Sequence, residues 1–165
     1  ILRQAGLRDR YFGESFADLD SLLAAVYDQL IDEQLAASRA AIAAASGRSE
    51  AARAMIDSVS GMLDGDPGGA RIKLREVVSA GPVSKSHRQE GHRKLAQLVA
   101  DLLPATPTHN DRDRLLLGVG LIAAADADLL AWLNGDEDLT RQQAVDLVTM
   151  LFDSISANLS LSATR

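Results

Sequence analysis

Four hydrogen-bond donors lie close together near the beginning of the chain, and their chemistry suits contact with nucleic acid. They are Arg8, Arg10, Tyr11 and Ser15. A short helix that carries such side chains can lie in the major groove and donate to phosphates and base edges. Gly6, just before them, suits a tight turn, and Phe12 and Phe16, four residues apart, would anchor the helix on a small core. This segment predicts the second half of a helix-turn-helix.

The residues that follow have the pattern of a helix start. Asp18 is a suitable N-cap, and Asp20 places a negative charge in the first turn. An apolar stripe with a 3.6-residue period then runs into an alanine-rich stretch, and Ser46 and Gly47 end it. We expect one long helix over residues 19–45.

Taken together, residues 5–30 resemble the DNA-reading part of TetR-family transcriptional regulators. The matching positions are those of the turn glycine, the recognition-helix core and the start of the long connecting helix: Gly6, Phe12, Phe16, Asp20, Leu22 and Leu23. Two positions depart from the family. Many members have a tyrosine at the place of Gly13 and a lysine at the place of Leu19, and both commonly contact DNA phosphates. A plainer interpretation makes residues 7–16 an amphipathic connector.

The resemblance implies a homodimer that binds operator DNA, as a repressor, and releases it when a small molecule occupies the C-terminal domain. It assigns residues 1–31 to the last part of the helix-turn-helix domain and residues 32–165 to effector binding and dimerisation. We expect the helices that precede the turn to be absent from this sequence. Gly13 and Leu19 keep an alternative open, a helical dimeric ligand-binding or scaffold protein that no longer binds DNA.

Asp126 is a carboxylate in an otherwise apolar stripe. Its neighbours at helical spacing are Leu115, Val119, Ile122, Leu129 and Leu133. Burying an unpaired charge is costly, so this carboxylate must be paired, hydrated or in contact with a ligand. Pairing with an arginine of the same or a partner chain, and contact with an effector, are the two alternatives.

We expect an effector cavity between the central helices, lined mainly by aliphatic side chains. The expected lining is Met55, Val59, Met62, Leu74, Val78, Leu95, Ile122 and Asp126. Such a lining suits a small apolar or amphipathic effector. His87, His92 and His109 lack a metal-binding spacing and are expected to be solvated or close to helix caps, or else to supply one polar contact in this cavity.

Other chemistry finds little support in the sequence. Residues 118–123 match the dinucleotide pattern G-x-G-x-x-G/A, but they lie within a continuous helical pattern instead of following a strand, so we interpret the glycines as sites of close helix contact. The chain has no cysteine, and its paired aspartates point in different directions on their helices. We expect no enzymatic activity, no metal and no cofactor.

Composition predicts an all-α fold with an aliphatic core. The 165 residues are 47% hydrophobic and only 4% aromatic, and the formal net charge is −6. After the long helix, we expect helices over residues 49–64 and 70–79, from 84 to 103, over 111–134 and from 140 onward, with a turn at residues 65–69.

The last two helices are apolar on nearly every side, which predicts a partner that covers them. A pair of such helices and their symmetry copies would form a four-helix dimer interface. The expected contacts are Leu116, Val119, Leu130, Val148, Leu151, Phe152 and Ile155. The longest uninterrupted apolar run, residues 115–125, is shorter than the roughly 20 residues of a membrane span, so we expect a cytoplasmic protein without a membrane partner.

Overall fold

The computed structural model describes residues 18–162, without the side chains of Glu137 and Ser162. Its helices are α1 (Leu19–Ala44), α2 (Arg48–Gly65), α3 (Pro67–Arg71), α4 (Val77–Ser79), α5 (Pro82–Leu102), α6 (Asp111–Asn134) and α7 (Arg141–Ser162). A π-helical turn, Ile72–Glu76, joins α3 to α4, and a 3₁₀ turn, Asp136–Asp138, lies between α6 and α7. The prediction of an all-α fold is confirmed, since residues 18–162 contain no β-strand. Arg8, Arg10, Tyr11 and Ser15 lie outside the described residues.

Side-chain caps explain where the long helices begin. Asp18 accepts a hydrogen bond from the backbone N–H of Ser21 at 2.8 Å, as the sequence predicted. At the start of α6, Asn110 and Asp113 form a capping box with bonds of 3.1 and 3.0 Å. Thr140 caps α7 as expected, since its hydroxyl accepts from the backbone of Gln143 at 3.2 Å.

The five long helices form a closed ring. Helix α1 packs against α2 and α5, α5 packs against α6, and α7 completes the ring between α6 and α2. Polar contacts seal the join of α2 and α7, where Arg53 lies 2.6 Å from Asp146 and Arg141 lies 2.8 Å from Asp57. The buried side chains therefore face inward from five sides.

Two glycines lie where long helices of the ring approach one another closely. A Cβ atom at Gly118 of α6 would overlap the backbone carbonyl of Ala96 on α5. A Cβ atom at Gly91 of α5 would lie 2.9 Å from the ring of Tyr27 on α1. Gly118 therefore supports the interpretation of close helix contact and not that of a nucleotide loop, whereas Gly120 has no such neighbour within 4 Å.

The structure differs from the expectations between α2 and α5. The predicted turn at residues 65–69 is wrong from Pro67 onward, because Asp66 caps α3 through the backbone N–H of Gly69 at 3.0 Å. The single helix expected over residues 70–79 is divided by the π turn. The expected domain boundary after residue 31 falls within α1, where Ile31 and Leu35 belong to one core cluster.

Candidate ligand-binding cavity

An internal cavity of about 50 Å³ lies inside the ring. All five long helices and the π turn contribute to its lining, which is mostly aliphatic, and its polar members are Gln34, Lys73, Asp126 and Thr149. A buried water needs roughly 10–15 Å³ of such space, while cavities for drug-sized ligands measure roughly 300–1,000 Å³. In this conformation the cavity has room for a few water molecules, and a larger ligand requires the helices to move apart.

The structure brings five of the eight expected effector residues to this cavity. They are Met55, Val59, Leu95, Ile122 and Asp126. Met62 instead lines a neighbouring groove. Leu74 is buried in a separate core cluster with Ile56 and Leu63. Val78, in the short helix α4, is 45% exposed and does not line the cavity.

Asp126 is held by a cluster of cationic and potentially cationic groups. His92 Nε2 lies 3.0 Å from one carboxylate oxygen, and Arg88 Nη2 lies 3.9 Å from the same atom. Lys73 Nζ lies 3.6 Å from the other oxygen. Burial alone would raise the pKa of Asp126, but the charges of Lys73, His92 and Arg88 outweigh it and lower that pKa below its usual range. The expected pairing is present, with a lysine and a histidine closer than the arginine.

Lys73 is a buried cation that sequence analysis missed. Its side chain is 4% exposed although it lies in the π turn that joins the two short helices α3 and α4. The π turn changes the helical register there and directs the side chain toward the cavity. Lys73 Nζ lies 3.6 Å from Asp126 Oδ1, so the two side chains form an ion pair but are too far apart for a direct hydrogen bond. The ammonium group therefore retains donor capacity inside the protein.

Gln34 is the second buried polar group that sequence analysis missed. It lies on α1, is only 5% exposed, and its amide makes no hydrogen bond within the described residues. Thr149, by contrast, satisfies its hydroxyl by donating to the carbonyl of Val145 at 2.7 Å. Gln34 is thus an amide without a hydrogen-bond partner among the described residues, and it lies at a cavity whose lining is mostly aliphatic.

A wider groove of about 200 Å³ lies next to the cavity, between α1, α2 and the segment after α2. Both hollows share Gln34, Val59 and Lys73 in their linings. On the solvent side the groove also carries the exposed acids Glu33 and Asp66. Lys73 and Gln34 therefore stand at the boundary between the interior and a surface groove.

Helix α1 is also tied to α5 near its beginning. The carboxylate of Asp20 accepts hydrogen bonds from the backbone N–H groups of Val83 and Ser84, both at 3.0 Å, and so caps α5. The hydroxyl of Ser84 donates to the backbone carbonyl of Asp20 at 2.9 Å. Hydrogen bonding by Ser84, with smaller contributions from the backbone N–H of Val83, lowers the pKa of the Asp20 carboxyl group below its usual value. A displacement of α5 would therefore pull on the start of α1.

The outer faces of α6 and α7 carry apolar side chains. Leu116 is 58% exposed and Met150 is 61% exposed, and the stripes continue through Val119, Leu147, Leu151 and Leu161. Of the expected dimer contacts, Leu130 and Ile155 are half-buried. Val148 and Phe152 are buried in the cores of the single chain, where they pack with α2, and so have no surface left for a partner.

By length and composition alone, two helices could cross a membrane: Asp111–Asn134 and Arg141–Leu161. Core helices of other proteins meet the same criterion. Here, α6 packs against α5 and α7, and α7 packs against α2 and α6. The expectation that the protein has no membrane partner stays a prediction.

The histidines differ in their surroundings. His92 is paired with Asp126, so the expectation of a solvated or cap-proximal residue is wrong for it. His87 lies 2.7 Å from Asp28, and His109 contacts Thr106 beside the cap of α6, as expected. Within residues 18–162 no three histidine or acidic residues are grouped so that they could hold a metal ion. The expected lack of enzymatic activity and of cofactors stays untested.

No family model matches the chain, and no curated protein shows significant sequence similarity to it.

Proposed function

We propose that the chain is part of a dimeric transcriptional regulator, a repressor that a small molecule releases from its operator. The observation that carries this proposal is the position of Gln34. It lines the internal cavity from α1, the helix that begins directly after the arginine-bearing segment. A ligand in the cavity would contact the same helix that follows the DNA-reading turn.

In this proposal, Arg8 and Arg10 contact the major groove with Tyr11, and Ser15 contacts a phosphate. Their types and spacing support these roles, together with the helix start that Asp18 caps immediately afterwards. Leu19 is exposed on the first turn of α1, and its aliphatic side chain has no hydrogen-bond donor for the phosphate backbone of DNA. The arginines therefore provide most of the affinity for DNA.

The small size of the cavity supports a coupling between ligand and DNA. A ligand larger than the present free volume must separate α1 from its neighbours. In a dimer, two recognition helices have to lie roughly 34–36 Å apart to read successive turns of a duplex. A tilt of α1 would change that separation, provided that the ligand prefers the expanded conformer.

The exposed apolar stripes of α6 and α7 support a second copy of the chain as the partner. The two helices are neighbours in the ring, so their stripes form one surface. Two such surfaces would pack as a four-helix bundle. A closed two-fold contact covers both apolar stripes at once.

A selection experiment tests DNA binding. Duplexes are selected from a random pool with the full-length protein, and their affinity is then measured by gel shift for Arg10→Ala. Removing a base-edge contact costs about 1–3 kcal/mol, so we expect binding to weaken by about fivefold to 150-fold while the dimer persists.

The matched control is Arg39→Ala, an exposed arginine on α1 outside the motif, which we expect to bind with nearly wild-type affinity. Unchanged affinity of Arg10→Ala removes this residue from the interface. If no duplex is enriched although the protein is dimeric and binds a ligand, the scaffold or ligand-binding alternative replaces the proposal.

A further inference from the structure

We infer that the internal cavity binds an amphipathic monoanion, a carboxylate with an aliphatic tail, and that Lys73 and Gln34 hold its headgroup. The inference rests on the proposed function, because it names the ligand class of the same cavity. Binding can nevertheless be measured without DNA. Three observations carry it: two buried polar groups with free hydrogen-bonding capacity, an excess of positive charge beside them, and an aliphatic lining beyond.

The two polar groups face both hollows. Lys73 is 4% exposed and Gln34 is 5% exposed, yet neither makes a side-chain hydrogen bond within the described residues. Neither polar group is among the fully buried unpartnered atoms of the described residues, and both residues line the two hollows. A group that accepts from both would therefore add hydrogen bonds that the unliganded protein lacks. A carboxylate has two acceptor oxygens and can take one bond from each side chain.

The surrounding charges favour a single negative charge on the ligand. Lys73 and Arg88 are two basic side chains that pair with the same carboxylate, that of Asp126. His92 contributes to the positive side when it is protonated. Together, Lys73, Arg88 and Asp126 have a net charge of about +1, which a ligand with one negative charge would neutralise. Glu33 and Asp66 on the solvent side of the groove disfavour a headgroup with a second negative charge.

The remainder of the lining suits an aliphatic tail. Beyond the two polar groups, the cavity is bounded by Met55, Val59, Leu95, Ile122, Leu129 and Phe152. Each additional buried methylene should increase affinity about fourfold until the space that the helices can open is filled. The tail, and not the headgroup, would then separate the helices of the ring.

The test uses decanoate, with decanol and decylammonium as probes of equal tail length. We expect calorimetry on the full-length protein to show one decanoate bound per chain, with decanol at least tenfold weaker and no detectable binding of decylammonium. Lys73→Met should abolish the preference for decanoate over decanol. Gln34→Leu, which leaves the cluster around Asp126 intact, should reduce that preference severalfold. Lys85→Met, an exposed lysine on α5, is the matched control and should bind as the wild type does.

Several outcomes would overturn the inference. These are equal affinity of the wild type for decanoate and decanol, an unchanged preference in both Lys73→Met and Gln34→Leu, or no binding of decanoate at all. None of them affects the Arg10→Ala measurement on selected duplexes. Failure of the ligand assignment and failure of the proposed regulatory function are therefore distinguished.

Discussion

At the scale of single residues, Asp126 shows how far a sequence pattern leads. A carboxylate in an apolar stripe requires a partner, and the stripe alone indicated that one exists. The identity of Lys73 and His92 could not be predicted, because each lies on a different segment and neither interrupts a clear pattern. Gln34 was missed for a similar reason, since a glutamine in a long helix reads as part of its polar face.

Asp126→Asn tests the buried cluster. The substitution leaves Lys73 and Arg88 without their counter-charge, so we expect a loss of about 3 kcal/mol in the free energy of unfolding at pH 7. Asp128→Asn, two residues further along α6, is the control. Burial raises the pKa of Asp128, so its charged form gives no stability and we expect no loss. Urea denaturation measures both variants.

The stability difference between the wild type and Asp126→Asn should also depend on pH. The pKa of Asp126 is lowered in the folded protein, so its contribution is present above the usual value of 3.8 and is lost as pH falls through the lowered folded value. We expect the stability difference between wild type and Asp126→Asn to shrink below about pH 4. A difference that stays constant into the acid range would contradict the ion pair.

At the scale of helices, the sequence predicted what is encoded locally. Asp18 and Thr140 marked helix starts correctly, because capping requires only a side chain and a backbone group three residues later. The π turn at Ile72–Glu76 was not predicted, because it depends on packing against neighbouring helices and has no pattern of its own. The direction of Lys73 depends on that turn, so the site could not be assembled from sequence.

Gly118→Ala tests the crossing of α5 and α6. The new methyl group would collide with the carbonyl of Ala96, so the helices must shift, and we expect a loss of about 1–3 kcal/mol in stability. Gly120→Ala has open space around it within the chain and should be neutral or gain up to about 1 kcal/mol from helix propensity. Thermal and urea unfolding at one protein concentration compare the two. An equal loss in both would show that the close contact is not specific to Gly118.

At the scale of the whole molecule, the five long helices of residues 18–162 surround the cavity beside Asp126, and α6 and α7 leave apolar side chains exposed on their outer faces. Periodicity predicted that α6 needs cover on more than one side, which the exposed Leu116 and Val119 agree with. Periodicity could not predict which apolar residues of α7 are buried in the core of the chain and which are exposed on its surface. Phe152 and Leu151 are adjacent, but only the fold determines that one packs inward and the other outward.

The paired substitution Leu116→Glu and Met150→Glu tests the dimer. Both side chains are exposed in the single chain, so folding should be preserved while the apolar contact between copies is lost. We expect the dissociation constant of the dimer, measured by sedimentation velocity, to increase about a hundredfold or more. Ser86→Glu with Gln89→Glu, exposed on α5, adds the same charge elsewhere and should leave the dimer intact. A wild type that is monomeric, or that binds neutral lipid vesicles instead, would contradict a second copy as the partner.

The π turn has one further consequence. It holds one residue more than regular α-helical winding would place there. If that extra residue were passed along to the next turn, the backbone at Lys73 would rotate by roughly 100° about the local axis. The ammonium group would swing away from Asp126 and from the inner hollow. The position of Lys73 at the boundary between groove and interior thus depends on the wider winding of this single turn.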